Sequence, residues 1–135
     1  MRNEDLERLT FPDESFDLFI TQDVFEHIFD ACIAFQEIAR VLRQGGAHVF
    51  TVPYWPDRST RVRAIRTGSG IEYVRRPIYH DDPIDPSGAL VVQDWGDDLT
   101  GIIKDACGLD TQIFEPNDRR QGLVADFLQV FVTKK

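Results

Sequence analysis

Apolar residues recur along this chain at two different spacings, and each change of spacing marks an element. Residues 16 to 21 (Phe16, Asp17, Leu18, Phe19, Ile20, Thr21) are a short apolar run rich in strand formers. Such a run predicts a strand buried on both faces, and so a parallel sheet. From about Asp30 to Arg43, Ala34, Ile38, Val41 and Leu42 recur at three- and four-residue spacing while Gln36, Glu37, Arg40 and Arg43 point elsewhere, which is the pattern of a helix with one buried face. Asp30 can cap its first turn. Arg40 and Arg43 favour the negative end of its dipole, and Gly45 or Gly46 is expected to end it in a left-handed conformation. Residues 47 to 52 (Ala47, His48, Val49, Phe50, Thr51, Val52) then predict a second strand, closed by Pro53. Strand, helix and strand in this order make a βαβ crossover, expected to be right-handed.

The pattern loosens after Pro53. Pro56, Pro77, Pro83 and Pro86 fall between Tyr54 and Asp94, so loops broken by short extended pieces are expected there. Residues 61 to 66 alternate charged and apolar, and Gly68, Ser69 and Gly70 separate them from Ile71, Glu72, Tyr73 and Val74, which reads as a surface hairpin. A helix is expected from about Gly96 to Cys107, with Leu99, Ile102, Ile103 and Ala106 inward and Gly108 as its stop. Two terminal strands follow, roughly 110–114 and 125–133, around a polar turn at Asn117, Asp118, Arg119 and Arg120.

Composition narrows the class. The 135 residues suit one small domain, and 42% hydrophobic content is enough to fill a core. Fifteen Lys and Arg against 23 Asp and Glu give a net charge of -8, which argues against nucleic acid as a non-specific partner. Met1 to Glu7 lack the apolar stretch of a signal peptide, and no run approaches the ~20 apolar residues of a membrane span. No membrane partner and a cytoplasmic location are therefore expected. Cys32 and Cys107 lie in helical patterns outside any Cys-x-x-Cys pair, so both read as core fillers and not as a disulfide or zinc site.

Three stretches carry a resemblance. Asp5, Leu6, Glu7, Arg8, Leu9, Thr10 and Phe11 precede Asp13, Ser15, Phe16 and Asp17; next come Asp23, Val24, Phe25, Glu26 and His27; last comes Glu37 through Gly46, reading Glu-Ile-Ala-Arg-Val-Leu-Arg-Gln-Gly-Gly. In order and spacing they resemble the class I S-adenosylmethionine-dependent methyltransferases of the broad small-molecule-type subgroup, over about residues 4 to 53. The resemblance implies an α/β fold: a partial Rossmann-like methyltransferase sheet, with strands equivalent to the fourth to seventh, flanking helices and an inserted hairpin in a single domain. It also implies methyl transfer from S-adenosylmethionine to a small-molecule acceptor.

On the same resemblance, Asp5 with Leu6 would meet the adenine of the cofactor, a carboxylate accepting from its exocyclic amine. Thr21 and Gln22 close the first strand, where ligands of open α/β sheets bind, and are candidate cofactor contacts. His27 is a candidate general base because an imidazole can exchange a proton near neutrality, but its Glu-His pair belongs to the family's turn, so a packing or hydrogen-bonding role beside the cofactor is expected. No catalytic acid or base is expected, since methyl transfer needs little beyond alignment. His80 with Asp81 and Asp82 is followed at once by Pro83 and has no second histidine near it in sequence, so a solvated loop is expected, with no metal site. Tyr54, Trp55, Tyr73, Tyr79 and Trp95 either wall a substrate pocket or simply cover the sheet.

The family's Gly-rich cofactor turn should lie upstream of the first motif. Gly68 and Gly70, the one Gly-x-Gly, lie downstream between two extended pieces and cannot be that turn. The chain thus reads as a C-terminal part of the domain, for which cofactor binding unaided is doubtful. The resemblance further implies that residues 16–21 lack a neighbour, which predicts a homodimer through that exposed strand. A non-catalytic module for self-association or partner binding is the competing expectation.

Overall fold

The computed structural model describes residues 4–83 and 85–135. Its centre is a four-stranded sheet of β1 (Phe16–Gln22), β2 (Leu42–Thr51), β10 (Asp110–Phe114) and β11 (Val130–Lys134) in the order β1-β2-β11-β10. β1 and β2 run parallel, joined through α1 (Ala31–Val41), and β11 is antiparallel to both its neighbours. The crossover expected from the sequence is present, and so is the terminal strand pair, although its last strand begins at Val130 and not near residue 125. Between β2 and β10 lie β3 (Tyr54–Trp55), β4 (Arg61–Val62), β5 (Ala64–Thr67), β6 (Gly70–Tyr73), β7 (Tyr79–His80), β8 (Ala89–Leu90) and β9 (Gln93–Gly96), then α2 (Leu99–Cys107). These strands pair as β3-β9-β4, β5-β6 and β7-β8. Ile84, within the Pro-rich stretch, lies outside the described residues. Among the described residues no helix is long and apolar enough to cross a membrane.

The helices cover one face of the sheet. Phe50, His48, Phe131 and Thr133 are buried beneath Ala34, Phe35, Ile38, Leu99 and Ile103. On the opposite face Leu18 and Ile20 are 52% and 65% exposed. This corrects the expectation of a strand buried on both faces: β1 is an edge strand with cover on one side only. Cys32 is exposed and Cys107 half-buried, so the first does not fill the core.

α1 also stops earlier than its glycines suggest. Asp30 caps it by accepting from the Ile33 N–H at 3.1 Å, as expected, but the helix ends at Val41 and Leu42 is already extended. Its last carbonyls find partners elsewhere: Glu14 N–H and Ser15 N–H donate to Arg40 and Val41, and Lys135 Nζ donates to Leu42. With those acceptors satisfied, no left-handed cap is needed. Gly45 and Gly46 instead belong to β2, where a side chain at Gly46 would press on the Asp17 and Arg43 carbonyls. α2 does end as expected, with Gly108 left-handed at φ 76°. The hairpin is shorter than expected, because Arg61 and Val62 leave it to pair with β9.

Arg40 explains why the N-terminal segment lies where it does. Its guanidinium donates to both carboxylate oxygens of Glu37, to Asp13, and to the carbonyls of Leu9 and Phe11. Glu37 in turn accepts from the Leu9 N–H at 2.9 Å. A bidentate arginine that also gathers two backbone carbonyls fixes a loop in orientation as well as position. The Arg40 hydrogen bonds hold the Glu37 carboxyl below its ordinary range.

Beneath the sheet, His48 is 2% exposed and its Nε2 lies 2.9 Å from the Thr21 hydroxyl. Burial pushes its pKa down to about 3. A histidine held neutral in the fold but free to protonate when unfolded contributes stability above about pH 6.5, and that contribution is lost as pH falls from there towards 3. Urea unfolding between those pH values should therefore show the wild type losing up to about 1.4 kcal/mol per pH unit more than His48→Gln; parallel curves would refute it.

Candidate functional site

The parallel strands β1 and β2 end side by side, and the turns that leave them build the site. Beyond Gln22, Asp23 takes a left-handed φ of 51°, with its N–H on the Thr51 carbonyl and its carboxylate accepting from the Thr51 hydroxyl. A non-glycine residue in this region is uncommon and reverses the chain sharply. A 3-10 turn, Phe25–His27, follows at once. Phe25 is fully buried and stacks on Phe35 at 4.2 Å, which sets the depth of the turn.

The segment before and into β9 grips the same turn from the other side. Val92 N–H donates to the Glu26 carbonyl at 2.8 Å, and Gln93 Nε2 donates to the carbonyls of Phe25 and Ile28. His27 Nδ1 lies 2.8 Å from the Leu90 carbonyl. A carbonyl only accepts, so Nδ1 is the donor in this contact and Nε2 is the nitrogen that faces Glu26. Leu90 belongs to β8, whose partner β7 carries His80. Gly88 permits this ladder: it sits at φ 81°, and a Cβ there would strike the His80 carbonyl.

Three polar side chains therefore converge. Glu26 Oε1 lies 3.7 Å from His27 Nε2 and 3.6 Å from His80 Nδ1, and the two imidazoles meet edge to face at 5.0 Å. Glu26 is 1% exposed, and neither of its oxygens has a hydrogen-bond partner among the described residues. Burial pushes the Glu26 carboxyl up from its ordinary range, and burial with the neighbouring His27 pushes His80 down. The expectation that His80 sits in a solvated loop without a second histidine is thus overturned. Chain separation hid the pairing, since His27 reaches His80 only through the β7–β8 ladder.

Beside this cluster a cavity of about 560 Å³ opens at the carboxyl ends of β1 and β2, lined by Glu26, Pro53, Trp55, His80, Val91 and Phe127 together with Arg58, Arg61, Arg63 and Arg75. Arg63 is paired with Asp94 at 2.8 Å, both largely buried. Arg58 lies 4.5 Å over the Trp55 ring. Arg58, Arg61 and Arg75 form no ion pair among the described residues. The sequence alone does not announce four arginines around one cavity of an acidic protein, although the Arg61-Val62-Arg63 alternation puts two of them a residue apart.

The expected cofactor positions are more dispersed. Asp5 is exposed and accepts from the Glu7 N–H, while Leu6 packs half-buried against the core. Gln22 is exposed at the end of β1. The Thr21 hydroxyl is turned inward onto His48, leaving only its backbone at the strand end. Of the five aromatics, Trp55 lines the cavity, Tyr54 and Trp95 are buried over the sheet, and Tyr73 and Tyr79 are exposed with hydroxyls 3.4 Å apart.

The sheet order and the single antiparallel strand near its end can now be compared with known proteins. Residues 1–50 match a family model described as a methyltransferase domain. The chain has the class I S-adenosylmethionine-dependent methyltransferase fold. A Mesorhizobium loti S-adenosylmethionine-dependent methyltransferase aligns with a TM-score of 0.59 at 14% identity, over 97% of this chain and 67% of its own. The YcgJ protein of Bacillus subtilis aligns with a TM-score of 0.55 at 18% identity, over 96% and 68%. Phosphoethanolamine N-methyltransferase 2 of Haemonchus contortus, solved with S-adenosylmethionine, aligns with a TM-score of 0.54 at 14% identity, over 97% and 36%. No curated sequence matches.

The cavity wall makes one position testable. A side chain at Gly96 would collide with the Arg58 carbonyl and the backbone of Ser59 and Thr60, which rest on Gly96 and Asp97 through hydrogen bonds. Gly96→Ala should lower stability in urea by about 1–3 kcal/mol, whereas Gly101→Ala, in open space within α2, should raise it by about 0.5–1 kcal/mol. Equal effects would show that the Arg58–Thr60 loop does not depend on this approach.

Proposed function

We propose that this chain serves S-adenosylmethionine-dependent methyl transfer to a small-molecule acceptor bearing an acidic group, which the cavity beside Glu26 holds. The observation that carries the reading is the position and charge of that cavity. It opens at the carboxyl ends of parallel strands, where open α/β sheets bind ligands, and among the described residues Arg58, Arg61 and Arg75 form no ion pair there. A guanidinium suits carboxylate or phosphate by shape as well as charge. The cofactor supplies an electrophilic methyl on a sulfonium. The protein's part is to align an acceptor lone pair behind it, which needs no dedicated acid or base.

In this reading Asp5, Leu6 and Gln22 serve the adenosine side, Thr21 contributes through its backbone, and His27 stands on the acceptor side next to Glu26. Isothermal titration should give micromolar affinity for S-adenosylmethionine and for its demethylated product. Arg61→Glu should leave both unchanged while raising the KM for an acidic acceptor at least about tenfold, the loss of one charge-assisted contact. No heat with millimolar cofactor would sink the proposal.

A second reading, self-association, is favoured by the free edge of β1 with Leu18 and Ile20 exposed beside it. An apolar edge invites pairing with a second copy. Sedimentation velocity at tens of micromolar should then show a dimer that Ile20→Lys dissociates; a monomeric wild type removes this reading.

A further inference from the structure

The Glu26, His27 and His80 side chains pose a chemical problem that their distances help to solve. His27 Nδ1 is engaged with the Leu90 carbonyl, which leaves Nε2 as the nitrogen turned towards Glu26. The Glu26 oxygens are buried and, among the described residues, meet no side-chain donor within hydrogen-bond distance. A buried carboxyl facing two imidazole nitrogens beyond hydrogen-bond reach is costly unless something else satisfies it.

A proton shared along these vectors would draw donor and acceptor to about 2.7–3.2 Å. The observed separations are 3.6 and 3.7 Å, and the three ligand atoms all lie within 4.8 Å of one another. Donors set tetrahedrally about 2.0–2.2 Å from a zinc-sized ion stand roughly 3.4 Å apart. The two separations from Glu26 are thus long for hydrogen bonds and close to that of ligands around one metal.

We infer that Glu26, His27 Nε2 and His80 Nδ1 bind a divalent transition-metal ion, with its remaining coordination position open to the Arg-lined cavity. Two imidazoles and one carboxylate suit zinc, cobalt or iron better than magnesium or calcium, which take oxygen donors. The outer contacts fit as well. A metal-binding histidine ordinarily donates its other N–H to a carbonyl or carboxylate, as His27 does to Leu90. Asp23 adds negative charge felt by both Glu26 and His80, and among the described residues no guanidinium pairs with Glu26. Glu26 and His80 both line the cavity, so the open position faces any oxygen or nitrogen donor bound there. The site rests on this geometry and not on methyl transfer.

The test is Co²⁺ titration of the chelator-stripped protein, followed by visible absorption, with Zn²⁺ as competitor. One Co²⁺ per chain should give a tetrahedral d–d spectrum that Zn²⁺ abolishes. His80→Ala, whose side chain is 42% exposed, should keep the wild-type urea midpoint and weaken Co²⁺ binding at least about tenfold, the scale on which removing even an outer partner acts. Cys32→Ser should bind as the wild type does. Zn²⁺ should raise the melting temperature of the wild type, and this shift should vanish in His80→Ala. The inference is overturned by absence of Co²⁺ binding at about millimolar metal, by equal affinity in His80→Ala, or by loss of binding in Cys32→Ser.

Discussion

A chain of packed rings holds this molecule together. Phe25 stacks on Phe35 with the planes only 8° apart, His48 on Phe50 at 4.6 Å, and Phe50 on Phe131 at 5.0 Å, with Tyr54 edge-on beyond. These residues come from the turn after β1, from α1, from the middle of β2, from β11 and from β3. Each ring buries a large apolar area and has preferred approach geometries, so the stack fixes distances between elements that are far apart in sequence. The polar site depends on it, because Glu26 and His27 follow Phe25 directly and inherit its placement. A buried carboxylate could not be held against its desolvation by a loop free to relax.

Much of the frame was legible from spacing. The βαβ unit, the Asp30 cap, the Gly108 stop and the terminal antiparallel pair follow from short-range patterns that do not depend on distant residues. Where the reading failed, a tertiary partner was responsible. Leu18 and Ile20 look like a strand with two buried faces, yet one face has no cover. Gly45 and Gly46 look like a helix stop, yet Glu14, Ser15 and Lys135 had already satisfied the carbonyls that a glycine cap would serve. Cys32 falls on a helix, but on its exposed side.

The site was less legible than the fold for a related reason. In the sequence the Glu26-His27 pair looks like part of the scaffold, and His80 has no histidine near it. What joins them is the 90–93 segment, which hydrogen-bonds to the Phe25–His27 turn on one side and extends the ladder of His80 on the other. That segment has no motif of its own. Part of its contribution is made through the Leu90 carbonyl and Val92 N–H, backbone groups that carry no signature in the side-chain sequence, and the rest through the single amide of Gln93. The arginines of the cavity wall are similar: Arg58 belongs to a loop seated on Gly96, Arg61 to a strand pairing with β9, Arg63 to the link between that strand and the hairpin, and Arg75 to the residues just past the hairpin.

The parts of this cluster are anchored unequally. Glu26 and His27 hang from the aromatic stack and from four hydrogen bonds to the 90–93 segment. His80 hangs from a ladder of two residue pairs whose outer strand is largely exposed. Segments with few buried contacts open far more often than the core they flank. The cavity therefore has one stiff wall and one hinged wall. Local opening of that short ladder would widen the cavity on the His80 side without any change in the stability of the sheet.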